Sequence, residues 1–299
     1  MDFFDLYIKY EYAVAATQLT LAMLGMGATL TPGDFKEVVR DARAFSIGFV
    51  LQMLVVPLCA YGFIIGFSPI VGVAIGIAIC AAIPGGTVSN IFTHFSRGHV
   101  ALSIALTAVA TLACLFTVPF VLELLIGDQL PGEVELPAGQ IALEIFIFLL
   151  LPLAIGMLVL RLAPAIAPAF SIWSVRGSLF VILIIVVGAL GAGRLDIEAL
   201  GTNNFLLIIG FIGALAVISI TVLRSFRLNW QDTAAINIEV VIRNTNLGLL
   251  IKASLFPAVV GVADPVGDLV LFTILLYGGA QLFMSPALIY FFRRQIAKS

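Results

Sequence analysis

The sequence predicts an all-α polytopic membrane protein: nine transmembrane helices built as an inverted repeat. Three observations lead there. The 299-residue chain is 62% hydrophobic and 11% charged, with mean hydropathy +1.17, more apolar sequence than a soluble interior of this size can hide. The apolar residues come in runs of about 20–30, the length a bilayer demands. The two unusual runs, one broken and one polar, hold corresponding places in the two halves of the chain.

The spans fall at about 12–30, 43–66, 70–96, 98–126, 139–162, 170–193, 203–225, 230–256 and 265–292. The opening MDFFDLYIKYEY is acidic and aromatic and lacks the basic n-region of a signal peptide. It reads as an interfacial lead-in. Cys59, Cys80 and Cys114 lie inside apolar runs and read as small core residues, not as disulfides. There is no basic block, and nucleic acid is excluded as a partner.

The eighth span carries Asp232, Asn237, Glu239, Arg243, Asn244, Asn246 and Lys252. On hydropathy alone it could be an external loop. The distribution of cations argues that it crosses. Loops taken in alternation place Lys36, Arg40, Arg43, Arg97, Arg161, Arg224, Arg227, Arg293, Arg294 and Lys298 on one side. The other side receives Lys9, Arg194, Lys252 and the acidic loop Asp128 to Glu135. Cations favour the cytoplasmic face. The expected setting is the cell (inner) membrane, with the N-terminus outside and the C-terminus in the cytoplasm, provided 230–256 spans once.

Residues 1–126 form a first repeat of four spans, its third (about 70–96) broken. Residues 127–169 hold a connecting helix. Residues 170–299 form the second repeat, its third span (about 230–256) polar and broken. Paired spans are an odd number apart and run in opposite directions, the mark of an inverted repeat. A short echo, Gly25-x-Gly27…Asp34 against Gly188-x-x-Gly191…Asp196, accompanies it.

The stretch Pro84-Gly85-Gly86-Thr87-Val88-Ser89-Asn90 interrupts the third span. Proline removes a helix donor and clashes one turn back, and two glycines loosen the backbone. In lipid, broken backbone survives only inside protein or beside a wet cavity, and transporters build ion and substrate sites at such breaks. The alternative is a kinked structural helix. Ser103 and Thr107 share a helix face, continued by Thr111; the alternative is back-bonding hydroxyls in a packed helix. Gln52, one turn before Pro57, needs a partner or water.

Each charge at mid-membrane costs about 2.5–3.5 kcal/mol on insertion scales. Glu239 and Arg243, at i and i+4, stand in the order of a helical ion pair. Asn244, Thr245, Asn246 and Gly248 extend the polar patch. An oxygen set of Ser, Thr, Asn, Gln and Glu suits Na+ or H+ better than a transition metal. His94 and His99 read as interfacial polar residues, with proton sensing as the other option.

Four pieces give a resemblance: Gly25-Met-Gly-Ala-Thr-Leu-Thr-Pro-Gly-Asp-Phe35, Pro84 to Asn90, Arg97-Gly-His-Val-Ala-Leu-Ser103, and Ile238-Glu-Val-x-x-x-Asn244. They resemble the bile acid:sodium symporter family in order and spacing, over the chain from about residue 15. The resemblance implies two broken helices that cross in a core domain, and a panel domain that moves against it. It implies an organic anion, bile-acid-like or a small carboxylate, bound between them and driven by Na+. A first sodium site then maps onto Ser89, Asn90, Ser103, Thr107 and Glu239. A second maps onto Gln52, Glu239, Val240, Ile242 and Arg243; Thr87, Asn244 and Asn246 are substrate-cavity candidates.

Arg243 departs from the family's usual glutamine. A guanidinium cannot ligate a metal, so it either replaces the second sodium or pairs with a substrate carboxylate. The expected protein is therefore a secondary active transporter working as a monomer with one sodium, not an enzyme. The alternatives are sodium-independent or proton-coupled anion transport, a passive facilitator and a sensor.

Overall fold

The computed structural model describes residues 2–34, 40–127 and 136–298. Phe35, Lys36 and the acidic loop 128–135 lie outside them. Eleven helices are used below: α1 (Phe3–Gly27), α2 (Ala42–Phe67), α3 (Val71–Ala82), α4 (Thr87–Phe95), α5 (Val100–Ile126), α6 (Ala138–Leu162), α7 (Ala167–Gly191), α8 (Ile197–Ser225), α9 (Trp230–Val241), α10 (Thr245–Leu255) and α11 (Pro265–Ile296). No strand occurs among the described residues. Among the described residues six helices, α2, α5, α6, α7, α8 and α11, are long and apolar enough to cross a membrane.

Local sequence sets most of these boundaries. Side chains of Asp2, Asp41, Asp196, Asn229 and Asp264 accept backbone N–H bonds at the starts of α1, α2, α8, α9 and α11, the capping that short polar residues provide. Pro57 and Pro152 lack an N–H, and the ladder just before each slips into a π-turn, Leu51–Val55 in α2 and Ile145–Leu150 in α6. Such bulges often mark functional positions, and Gln52 sits on the first.

Small residues bring backbones together. A Cβ on Gly27 would lie 2.1 Å from the Leu153 carbonyl oxygen of α6, so only glycine permits that crossing. Gly25 meets Ser171 and Val175 while Gly188 meets Tyr7, which sets α1 and α7 antiparallel. The Ser171 hydroxyl donates to the Gly25 carbonyl at 2.8 Å.

Two expectations need correction. The helix starts earlier than the expected span: α1 begins at Phe3 and bends at Tyr10, and Tyr7 and Glu11 are 3% and 4% exposed. Lys252, inside α10, does not belong with loop cations, although Arg194 does lie in the turn after α7. Both are buried, because carboxylates from other elements reach them. Cys80 and Cys114 are buried and all three cysteines are free, as small core residues should be.

Candidate functional site

The two helix breaks meet. α3 stops at Ala82 and Ile83 turns extended (φ −70°, ψ 150°), as Pro84 requires of its neighbour. α9 stops at Val241, and Ile242 departs from helical geometry (φ −91°, ψ 98°). Gly85 and Arg243 then form an isolated antiparallel bridge. The Asn244 N–H donates to the Pro84 carbonyl at 2.9 Å. α4 and α10 restart on the far sides.

The break also explains a glycine. A Cβ on Gly85 would fall 2.0 Å from Glu239 Oε1. Glu239 occupies that space and is fully buried. Three hydroxyls donate to its carboxylate: Ser89 from α4, Ser103 at 3.3 Å and Thr107 at 2.7 Å from α5. The Asn90 Oδ1 closes the group, 2.8 Å from the Ser103 hydroxyl and 3.3 Å from the Thr107 hydroxyl, and shares each one's single proton with the carboxylate. Ser89, Asn90, Ser103, Thr107 and Glu239 therefore come together, all through oxygen. Thr111, one turn further, does not reach them, and its buried hydroxyl has no hydrogen-bond partner.

Glu239 and Arg243 are not a helical ion pair. The helix ends between them, so the i,i+4 geometry is lost. Among the described residues the ion pairs are His99–Asp232, Arg194–Glu11, Arg194–Asp268 and Lys252–Glu11. Arg243, 2% exposed, turns to neutral oxygens: Nη2 donates to the Ala81 carbonyl at 3.2 Å and Nη1 to Gln52 Oε1 at 3.4 Å. Val240 and Ile242 flank this turn and are buried.

Sequence reasoning missed the support under the second break. Gln281 of α11 accepts from the Arg243 N–H at 2.8 Å and donates to the Arg243 carbonyl at 3.3 Å. The Tyr277 hydroxyl donates to the Val241 carbonyl at 2.9 Å. The available signal was the one that picked out Gln52, a glutamine within an apolar span. His99 Nδ1 lies 2.7 Å from Asp232 Oδ1, so it joins α9 to the loop before α5. His94 is exposed.

Beside the crossing lies a cavity of about 620 Å³. α1 and α7 form one wall, mostly apolar, with Gln18 and Ser178 as its polar residues. α4, α10 and α11 form the other, where Thr87, Asn244, Thr245 and Asn246 stand. Both α4 and α10 begin at this wall, directing the positive ends of two helix dipoles toward it.

Comparison with known proteins fits this architecture. The chain is 29% identical over 243 residues to an "uncharacterized sodium-dependent transporter" of Bacillus subtilis (strain 168), covering 80% of this chain and 73% of that one. It is 30% identical over 235 residues to the human ileal sodium/bile acid cotransporter, covering 77% and 66%. It is 33% identical over 147 residues to the sodium-dependent organic anion transporter of Bos taurus, covering 49% and 39%. The profile of the sodium bile acid symporter family matches residues 16–192. The chain belongs to the sodium bile acid symporter family, whose members are transporters and not enzymes.

Proposed function

We propose that this transporter is a sodium-coupled symporter of an organic anion and works by alternating access. One observation carries the reading. Glu239 is a fully buried carboxylate surrounded by neutral oxygens, with no cation in ion-pair contact among the described residues. An isolated buried charge is strongly unfavourable. Na+ would supply the missing charge, and an all-oxygen set with one negative charge suits a hard monovalent cation. The ligands would be Ser89, Asn90, Ser103, Thr107 and Glu239. They join α4, α5 and α9, so ion binding would stiffen the wall of the cavity.

Arg243 would stand in for a second sodium. Its guanidinium already takes the carbonyl oxygens of Ala81 and Gln52, ligands of the type a hard cation prefers. A sodium beside it would meet repulsion in a medium of low dielectric. Coupling to one ion follows. All of these ligands come from one chain, which supports function as a monomer.

The substrate would lie in the cavity, its anionic group toward the α4 and α10 N-termini with Thr87, Asn244 and Asn246, and its apolar part against α1 and α7. α1, α6 and α7 would form the panel that rocks against the rest. Nine spans result when α1, α3–α4 and α9–α10 are counted with the six apolar helices. Helix directions support that count: α1 and α7 are antiparallel, whereas Gly72 against Leu269 and Gly76 against Thr273 make α3 and α11 parallel. Reciprocal packing supports the inverted repeat, since α3 lies on α11 as α9 lies on α5. The cation bias supports an N-terminus outside the cell membrane.

The test is thermal stability of the purified protein in NaCl against matched KCl, because a bound ion raises apparent stability by mass action. Sodium should stabilise the wild type specifically. Glu239→Ala should lose that response, and Arg243→Gln should steepen it. No sodium-specific shift in the wild type would overturn sodium coupling. Loss of anion binding in Arg243→Gln with an unchanged sodium response would instead place Arg243 on the substrate.

A further inference from the structure

A second buried charge cluster lies at one end of the cavity and takes no part in the site above. Both Glu11 oxygens of α1 accept from Lys252 Nζ of α10, each at 2.9 Å. Glu11 Oε1 also pairs with Arg194 Nη1, from the turn between α7 and α8, at 2.7 Å. Arg194 Nε pairs with Asp268 in the first turn of α11. Two residues along α10, the Ser254 hydroxyl donates to Glu144 of α6 at 2.8 Å. Lys252 is fully buried and Glu11, Glu144 and Arg194 nearly so.

These bonds join α1, α6 and the end of α7 to α10 and α11, the two sides of the cavity. They gather where α1 begins and α7 ends, beyond the cavity-lining residues Gln18 and Leu249. Elsewhere the walls differ: among the described residues no hydrogen bond or ion pair joins α1 or α7 to α4. One end of the cavity is tied by charge and the other is not.

We propose that Glu11, Lys252, Arg194 and Asp268, with Glu144 and Ser254, form the gate that seals this end of the cavity and opens when the panel rocks. The inference rests on alternating access. Burying paired charges gives little net stability over an apolar seal, and the same charges are well hydrated once exposed. Closed and open states therefore stay close in free energy, which a reversible gate requires. Removing one carboxylate leaves cations that the closed state must bury unpaired and the open state can hydrate, so the balance moves to open.

The experiment places a cysteine at Ala22, on the cavity wall, in a Cys59→Ala background. Labelling by a membrane-impermeant maleimide is followed from each face, in spheroplasts and in inverted vesicles. Glu11→Gln should raise labelling from the N-terminal face by about tenfold or more, the change that ~1.4 kcal/mol produces, and lower it from the opposite face. Asp268→Asn, at the more exposed edge of the network, should fold readily and shift both rates in the same directions by less. Rates that rise from both faces would mean a merely structural tie and overturn the gate. Unchanged rates in folded variants would overturn it too. Labelling from the opposite face alone, in the wild type and in every variant, would overturn alternating access together with the gate.

Discussion

Two buried charge clusters share this molecule and solve the same problem in opposite ways. At the crossing, Glu239 and Arg243 are four residues apart in sequence and yet form no ion pair, because the helix ends between them. Each turns to neutral oxygens or amides. At the cavity's end, Glu11 and Lys252 are 241 residues apart and pair directly. Charges kept from their partners leave room for something else to supply the missing charge. Charges given their partners hold elements together. The first arrangement is a binding site, the second a lock.

The largest expected effect tests that distinction directly. Lys252→Met should destabilise the protein by about 3 kcal/mol, the lower end for breaking a buried pair, because Glu11 keeps Arg194 as a second partner. Adding Glu11→Gln should recover part of the loss. A double-mutant cycle on unfolding should therefore give a coupling of about 1–3 kcal/mol for Glu11 and Lys252, and a smaller one for Glu239 and Arg243 measured without sodium, where the attraction acts without contact. Equal couplings would erase the contrast.

The next effect concerns the space that Glu239 fills. Gly85→Ala sets a methyl group 2.0 Å from Glu239 Oε1 and must displace the carboxylate. Sodium affinity should fall about 10–100-fold, as when a metal ligand loses its support. Gly86→Ala meets its nearest atom, Asn244 Cα, at 3.4 Å, ordinary van der Waals contact, and should leave affinity nearly unchanged. The pair of variants, compared by sodium titration of thermal stability, separates a specific displacement from general stiffening of the break.

How far the sequence could be read follows from the range of the interactions involved. Pro84, Gly85 and Gly86 act on their own backbone, so the first break was plain. Ser103 and Thr107 are one turn apart on a helix that does not break, so their shared face was plain too. The same i,i+4 rule failed for Glu239 and Arg243, because it presumes a helix that continues through Ile242. The span boundaries held within a few residues for α2, α5 and α6, where apolar runs are uninterrupted. α1 was cut short at its start because Glu11 looks like a surface residue until its partners are known. Those partners, Arg194 and Lys252, stand 183 and 241 residues away. Nothing in local periodicity encodes such contacts, and cation counting assigned Lys252 to a loop for the same reason.

The smallest effects sharpen the binding site itself, and they come from two threonines on one face of α5. Thr107 donates to Glu239 Oε1 at 2.7 Å. A hydrogen bond to a charged group is worth about 1.5–3 kcal/mol, so Thr107→Val should weaken sodium binding by about tenfold or more. Thr111 stands one turn further, equally buried, with an unpartnered hydroxyl. Replacing an unsatisfied buried hydroxyl by an apolar group of the same shape is neutral or stabilising. Thr111→Val should leave the sodium response intact and raise the melting temperature slightly, if it moves at all. A sodium response lost in Thr111→Val would extend the ion's reach one turn along α5, and the site would then lie deeper than the oxygens around Glu239 place it.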